Sequence, residues 1–375
     1  MEYRMIDDVK SSLLGFGCMR FPVDKDGGID EQEATKMLDI AREAGVTYFD
    51  TAYPYHNKES EPFVGKYLSQ FPRDSYYLAS KLPCWEIHSL EDAKKMFALQ
   101  LERLQKDYID FYLLHALNLD RWNEMESYGV YDYLATLKAE GKIKHLGFSF
   151  HDNYEAFEKI ITAKKWDFCQ IQYNYMDTDE QAGDKGYLLA EKLGVPMVIM
   201  EPIKGGSLAS LPDEVTKPFK EMAPDCSVAS WALRWVGSHS NVKVILSGMS
   251  TYDQVMDNLK TFEKFEPLSE QELVAVKRVK EHLESRIKNG CTGCRYCMPC
   301  PKGVDIPQNF AIWNAYGKYM NVGGTKWEWN HEIEDSAKAK NCVGCGKCET
   351  LCPQKLSIRE NLKNLQKELD ELLTK

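Results

Sequence analysis

The sequence has no uncharged apolar stretch approaching the ~18 residues that a membrane-spanning helix needs, and its mean hydropathy is −0.46. No membrane partner is expected. A basic excess is also missing: 47 Lys and Arg stand against 57 Asp and Glu, a net charge of −10, so no general field exists to hold a nucleic-acid backbone. The opening MEYRMIDDVK carries acids where an export signal needs an apolar run, which leads us to expect a cytoplasmic protein. Cysteine is scarce through most of the chain, with four residues (Cys18, Cys84, Cys169, Cys226) spread over the first 290 positions. Thiols so placed read as small buried apolar side chains rather than as ligands or a disulfide framework. No G-x-G-x-x-G follows the first candidate strand, where Gly15-Phe16-Gly17 runs on into Cys-Met-Arg-Phe-Pro.

What is present is a regular alternation. The 375 residues, 43% apolar, suffice for one large α/β domain with an appendage. Candidate strands are LLGFG (13–17), VTYFD ending at Asp50, YYLASK (76–81), YIDFYLLH (108–115), IKHLGFS (143–149), FCQIQY (168–173), VPMVIM (195–200) and VKVILSG (242–248). Between them lie helical patterns near 31–44, 59–69, 89–105, 131–140, 153–163, 180–193, 225–236 and 252–262. In the first, Asp30 and Glu33 read as a capping box, Ala34, Met37, Leu38 and Ala41 recur at helical spacing, and Gly45 reads as the stop. Eight strand–helix units predict a closed eight-stranded β/α barrel over residues 1–265, with a doubly wound open sheet as the alternative. Residues 266–288 read as a charged amphipathic linker helix and 357–375 as a final polar helix.

Composition changes abruptly near residue 289. Residues 286–355 carry ten Lys and Arg against six Asp and Glu, a surplus of four that leaves −14 for the rest of the chain. Eight cysteines crowd here, as Cys291-x2-Cys294-x2-Cys297-x2-Cys300-Pro301 and Cys342-x2-Cys345-x2-Cys348-x3-Cys352-Pro353. Three thiols at two-residue gaps can converge on one cubane, while the fourth, followed by Pro, leads away to a second; a zinc ribbon is the alternative reading. The pattern resembles a bacterial dicluster ferredoxin, although the Cys297 to Cys300 gap is two residues rather than three. That resemblance implies a mainly helical iron–sulfur domain over 289–356 with two [4Fe–4S] clusters. Cys291, Cys294, Cys297 and Cys352 would hold one, and Cys342, Cys345, Cys348 and Cys300 the other.

In a β/α barrel chemistry gathers where strands end. Asp50 ends the second strand, Lys81 the third and His115 the fourth, and Tyr55 lies in the loop just beyond Asp50. A phenol is a poor acid near neutrality until a cation stabilises its anion. Lys81 would supply that cation, Asp50 would hold Lys81, and His115 would hydrogen-bond a carbonyl oxygen being reduced. The segments DTAYPYH, SKLP and LERLQKDYIDFYLLH, with LGFGCMRFP (14–22) and SGMSTYDQVMDN (247–258), resemble the aldo-keto reductase family over about residues 10–265. The resemblance implies reduction of an aldehyde or ketone, or oxidation of the alcohol, by a nicotinamide cofactor, with Tyr55, Asp50, Lys81 and His115 as the catalytic set.

For the nucleotide the same resemblance implies Gln170 at the carboxamide with Ser149 as its partner, and Ser250, Asp257 and Asn258 in the eighth loop. The chain departs from the family pattern at Phe150, Met200, Met249 and Gln254, where asparagine, a stacking aromatic and basic residues are usual, so neither NAD nor NADP is favoured. Lys204-Gly205-Gly206 reads either as a pyrophosphate site or as a simple turn. A ferredoxin-like electron partner fits the two clusters, which would relay electrons. The alternative is an electron-transfer or redox-sensing protein whose barrel binds nucleotide with little turnover. Substrate choice is expected to lie in loops 82–90, 116–130 and 173–184, with Trp85, Trp122 and Tyr175 at the mouth.

Overall fold

Asp30 and Gly45 explain why the first helix begins and ends where it does. In the computed structural model, which describes residues 1–374, Asp30 accepts a hydrogen bond from the Glu33 N–H at 3.1 Å. Ala34, Met37, Leu38 and Ala41 turn inward from helix Glu31–Glu43, and Gly45 ends the turn at φ +97°. The capping box is only half made. The Glu33 carboxylate pairs with Lys36 at 2.6 Å, and the Asp30 N–H goes to the Pro22 carbonyl.

The chain opens with an antiparallel hairpin of β1 (Tyr3–Ile6) and β2 (Val9–Ser12). Eight parallel strands follow: β3 (Leu14–Gly17), β4 (Tyr48–Asp50), β5 (Tyr77–Leu82), β6 (Ile109–Leu117), β7 (Ile143–Phe150), β8 (Phe168–Gln172), β9 (Met197–Met200) and β10 (Val242–Ser247). They pair in sequence order, and β10 closes the ring against β3. The barrel expectation holds and the open sheet falls away. The hairpin was not foreseen, since four-residue strands carry too little alternation to read. Its Ile6 is buried among Tyr48, Phe111, Phe168 and Val244, the side chains that fill the barrel interior. Arg4 secures it by donating to the carbonyls of Gly237, His239 and Val242 at 2.5, 3.0 and 2.6 Å.

Two helices also escaped the sequence pattern, Leu119–Ser127 and Asp213–Met222. The first is set by a cap: Asn118 accepts from the Arg121 N–H at 2.8 Å. Trp122, expected at the mouth, instead lies in that helix's buried face against Tyr131 and Trp166. Tyr175 is likewise 2% exposed beside Trp235, so neither ring lines an open loop.

The chain divides into two compact units, residues 1–205 with 229–269, and residues 206–228 with 270 onward. The second is helical, built on Glu270–Ser285, Ile306–Tyr319, Val322–His331 and Ile358–Leu373 around Phe310, Trp313, Trp329, Leu362, Leu365 and Leu369. Fully buried Asn309 ties its loops together. Its amide donates to the Asp305 and Ala337 carbonyls at 2.7 and 2.9 Å, and its oxygen accepts from the Ala339 N–H at 2.8 Å. No helix among the described residues is long and apolar enough to cross a membrane.

Packing in the first unit is close where helix Ser60–Leu68 meets helix Leu90–Leu104. A Cβ on Gly65 would fall against the Leu104 backbone, which cannot swing aside. Gly65→Ala is therefore expected to destabilise the barrel unit by about 1–3 kcal/mol, read as a lowered midpoint in chemical unfolding followed by barrel tryptophan fluorescence.

Candidate functional site

Parallel pairing of β4 with β5 sets Asp50 opposite Ala79, so the end of β4 and Lys81 two residues further along β5 share one face of the barrel. The Lys81 ammonium, fully buried, lies 2.6 Å from Asp50 Oδ1, 2.9 Å from the Thr51 carbonyl and 3.2 Å from the Tyr55 hydroxyl. The structure thus brings Asp50, Lys81 and Tyr55 together as expected. His115, from β6, sets its ring edge-on to Tyr55 with centroids 6.1 Å apart, and Trp85 tilts over it at 5.0 Å.

The electrostatics add the effect of burial to that of the cation. Burial raises the Tyr55 phenol above its ordinary value and Asp50 adds to the rise, while Lys81 opposes it without cancelling it. Tyr55 is therefore a phenol that holds its proton, and Lys81 limits the penalty of the anion it would leave. Burial likewise raises Asp50 against the pull of Lys81. For Lys81 itself burial works against the ammonium, but Asp50 and Tyr55 outweigh it and its pKa stands above the ordinary value. His115 is held well below the usual imidazole range by burial and then by Lys81, His151 and Arg121. It is neutral near pH 7 and offers one N–H.

The expected nucleotide residues divide into committed and open groups. Gln170 is 2% exposed, with its amide NH₂ 3.5 Å from the Met200 sulfur and its carbonyl oxygen unpartnered. That orphaned oxygen suits a carboxamide donor. The Ser149 hydroxyl accepts from the Ala116 N–H at 2.7 Å and keeps its own proton to donate. Lys204, by contrast, is tied to both oxygens of Asp177 at 2.6 and 2.7 Å, which leaves the backbone of Gly205 and Gly206, at φ +60° and +98°, as what that triplet offers phosphate. In the eighth loop Ser250 donates to the Arg20 carbonyl and its N–H meets Gln254, while Asn258 donates to Ser247 at 2.8 Å. Asp257, partly buried, accepts from Thr261 through its backbone carbonyl. Sequence reasoning missed Asp177, His151 and Arg121; the Asn118 capping signal at the end of β6 could have pointed to the last.

In the second unit Cys291, Cys294, Cys297 and Cys352 line one small pocket, and Cys300, Cys342, Cys345 and Cys348 line another that Cys297 also borders. All eight are free thiols. A zinc ion with bonds of about 2.3 Å would hold its thiolates about 3.8 Å apart. The one group of potential ligand atoms within 4.8 Å of each other among the described residues is Asp7, Asp8 and His145, far along the sequence from these thiols. Thiols spread around a cavity suit a cubane, which spaces its four ligands widely, better than a single ion.

Residues 13–281 match the sequence model of the Aldo/keto reductase family. The chain belongs to the aldo/keto reductase family. A 4Fe-4S dicluster domain matches residues 290–356, so this is an oxidoreductase-family barrel carrying an iron–sulfur domain. A probable aldo-keto reductase of Glycine max is 34% identical over 203 residues, 52% of this chain and 57% of that protein. The NADH-specific methylglyoxal reductase of Escherichia coli is 24% identical over 304 residues, 69% of this chain and 90% of that protein. Among solved structures, the holo form of an aldo-keto reductase from Bacillus halodurans superposes with a TM-score of 0.63 at 28% identity, covering 74% of this chain and 96% of the other.

Anaerobically reconstituted protein is expected to hold about eight irons and about eight acid-labile sulfides per chain, and Cys352→Ser to lose about half of each. Stoichiometric zinc without sulfide would contradict the cubane assignment.

Proposed function

We propose that the chain is a nicotinamide-dependent oxidoreductase that reduces a small aldehyde or ketone, or oxidises the alcohol, and that two [4Fe–4S] clusters in its second unit relay electrons. The observation that carries the barrel chemistry is the Tyr55 hydroxyl held 3.2 Å from a fully buried, Asp50-paired Lys81. When bound, the reduced nicotinamide supplies a hydride and leaves as NAD(P)⁺, while the four-iron clusters carry single electrons. Ser149 and Gln170 would hold its carboxamide and the Gly205–Gly206 backbone its phosphates.

Tyr55 keeps its proton until a carbonyl oxygen gathers negative charge, and then releases it to that oxygen. The phenolate left behind faces the Lys81 ammonium, whose charge Asp50 holds in place without drawing the proton from Tyr55. Neutral His115 orients the carbonyl through its N–H and adds no charge that would repel Lys81. Eight cysteines, Cys291, Cys294, Cys297 and Cys352 with Cys300, Cys342, Cys345 and Cys348, would ligate the two clusters. A ferredoxin-like protein is the one-electron partner that this pair of clusters suits.

A second reading, a redox-sensing protein with little turnover, draws support from Met200, whose thioether meets the Gln170 amide where a flat ring would stack on the cofactor. Oxidation of NADH or NADPH by a panel of carbonyl compounds separates the two, and rapid turnover with any of them excludes the second.

Tyr55→Phe is expected to lower carbonyl reduction by about 10²–10⁴-fold with little change in nucleotide Kd. Because folding raises the phenol pKa, the reduction rate in wild type is expected to persist through pH 9 and to fall only as pH passes the raised value. A decline centred near pH 7 would assign the proton to another group.

A further inference from the structure

Two rings removed from the proposed acid, beyond His115 and Trp85, stands a cation with no assigned task. Arg121 lies in the first turn of helix Leu119–Ser127, fixed there by the Asn118 cap directly after β6. Ala116, at φ +52°, turns its carbonyl to accept one Arg121 N–H at 2.7 Å. The guanidinium carbon lies 5.6 Å from the centre of the Trp85 ring, and that ring is 5.0 Å from His115. A guanidinium has five N–H groups, so most of its capacity is unspent.

No carboxylate among the described residues forms an ion pair with Arg121. The neighbouring acids are otherwise placed: Asp120 and Glu124 are exposed, as is Glu201, whose charge is felt at His151, Asp152 accepts from the Leu119 N–H at 3.0 Å, and Glu86 faces Lys58 at 3.9 Å. The permanent charges felt at His115 are Lys81 and Arg121, both positive, while burial lowers the pKa of the neighbouring His151 and favours its neutral form. A half-buried cation left uncompensated is costly, and at the mouth of a reaction site a ligand's anion can supply the compensation.

We infer that Arg121 anchors an anionic group on the substrate, so the preferred substrates are carbonyl compounds carrying a carboxylate or a phosphate joined to the carbonyl by a short linker. Trp85, between Arg121 and His115, is the surface on which that linker lies. This rests on the reading of Tyr55 and Lys81 as a carbonyl-reducing site and adds the class of molecule that the site selects. Carboxylate and phosphate both match a guanidinium fork, and the choice between them is left to the measurement.

The holoprotein is assayed with three matched aldehydes: 4-carboxybenzaldehyde, 4-formylphenyl phosphate and the uncharged methyl 4-formylbenzoate. In wild type, kcat/KM for at least one anionic aldehyde is expected to exceed that for the ester by about tenfold or more, mainly through KM. The larger ratio identifies the anion. Arg121→Met should bring the ratio to near unity, and Arg121→Lys, which keeps the charge but loses the fork, should retain part of it. Each variant's nucleotide Kd and far-UV circular dichroism show that it is folded. A wild-type ratio near unity while the ester is reduced, or a ratio unchanged in Arg121→Met, overturns the inference and leaves the carbonyl reductase reading standing. If wild type reduces none of the three, nor any carbonyl in the wider panel, both fall together.

Discussion

The buried pair of Lys81 and Asp50 is the constraint around which the barrel site is arranged. An ammonium with no solvent exposure is tolerable only if its charge is met within the protein, and here Asp50 meets it at 2.6 Å while the Thr51 carbonyl takes a second N–H. The third donor direction falls to Tyr55. A surface lysine could stabilise a phenolate only weakly through water, whereas this one acts in a medium where its field is little screened. The same burial raises the pKa of the phenol, so one environment keeps the proton in place and makes its departure bearable. Removing either Lys81 or Asp50 would strand the other as a lone buried charge, so such variants test stability and chemistry at once.

Geometry of that order needs strands rather than loops. Asp50 and Lys81 leave the barrel from β4 and β5, whose register fixes their relative heights, and His115 follows directly on Leu114, the last β6 residue paired with β5. Tyr55 is carried by the following loop, whose His56, Asn57 and Lys58 all take positive φ. The His56 ring accepts from the Phe21 N–H at 3.0 Å, tying that strained stretch to the loop after β3.

Much of this was legible because the signals are local and periodic. Strand-length apolar runs separated by capped helical stretches spell a β/α barrel, and polar residues at the ends of such runs stand out. What could not be read depends on partners far along the chain. Lys204 beside two glycines looks like a phosphate site until Asp177, 27 residues earlier, is seen to occupy its ammonium. Trp122 looks like a loop aromatic until the Asn118 cap starts a helix that turns it inward. The β1–β2 hairpin gains its stability from filling the barrel floor with Ile6 and from Arg4 capping distant carbonyls, neither of which leaves a pattern in its own few residues. The sign of the Tyr55 shift is hidden for a related reason: a nearby cation can be guessed from sequence, but the depth of burial that outweighs it cannot.

Charge compensation also organises the second unit, with the signs reversed. On the proposed assignment the eight thiols lining two cavities would become thiolates on binding metal, and each four-thiolate cubane would then be a negative centre. The local surplus of Lys and Arg in residues 286–355 lies in a chain that is otherwise acidic, which is where such centres need it. Arg359 illustrates the fit. Its guanidinium pairs with Glu349 at 2.8 Å and stands within the field of Cys342 and Cys348, and it packs over Gly346 in the loop between them. Glu349 keeps it oriented when the thiols are protonated, and the cluster's charge gives it a second counter-ion once they are not. Asn309 meanwhile holds the stretch before the second cysteine motif through three backbone contacts that need no metal. The helical core can thus place the thiols in advance, and the proposed clusters would convert a cationic, thiol-lined frame into a charge-balanced one.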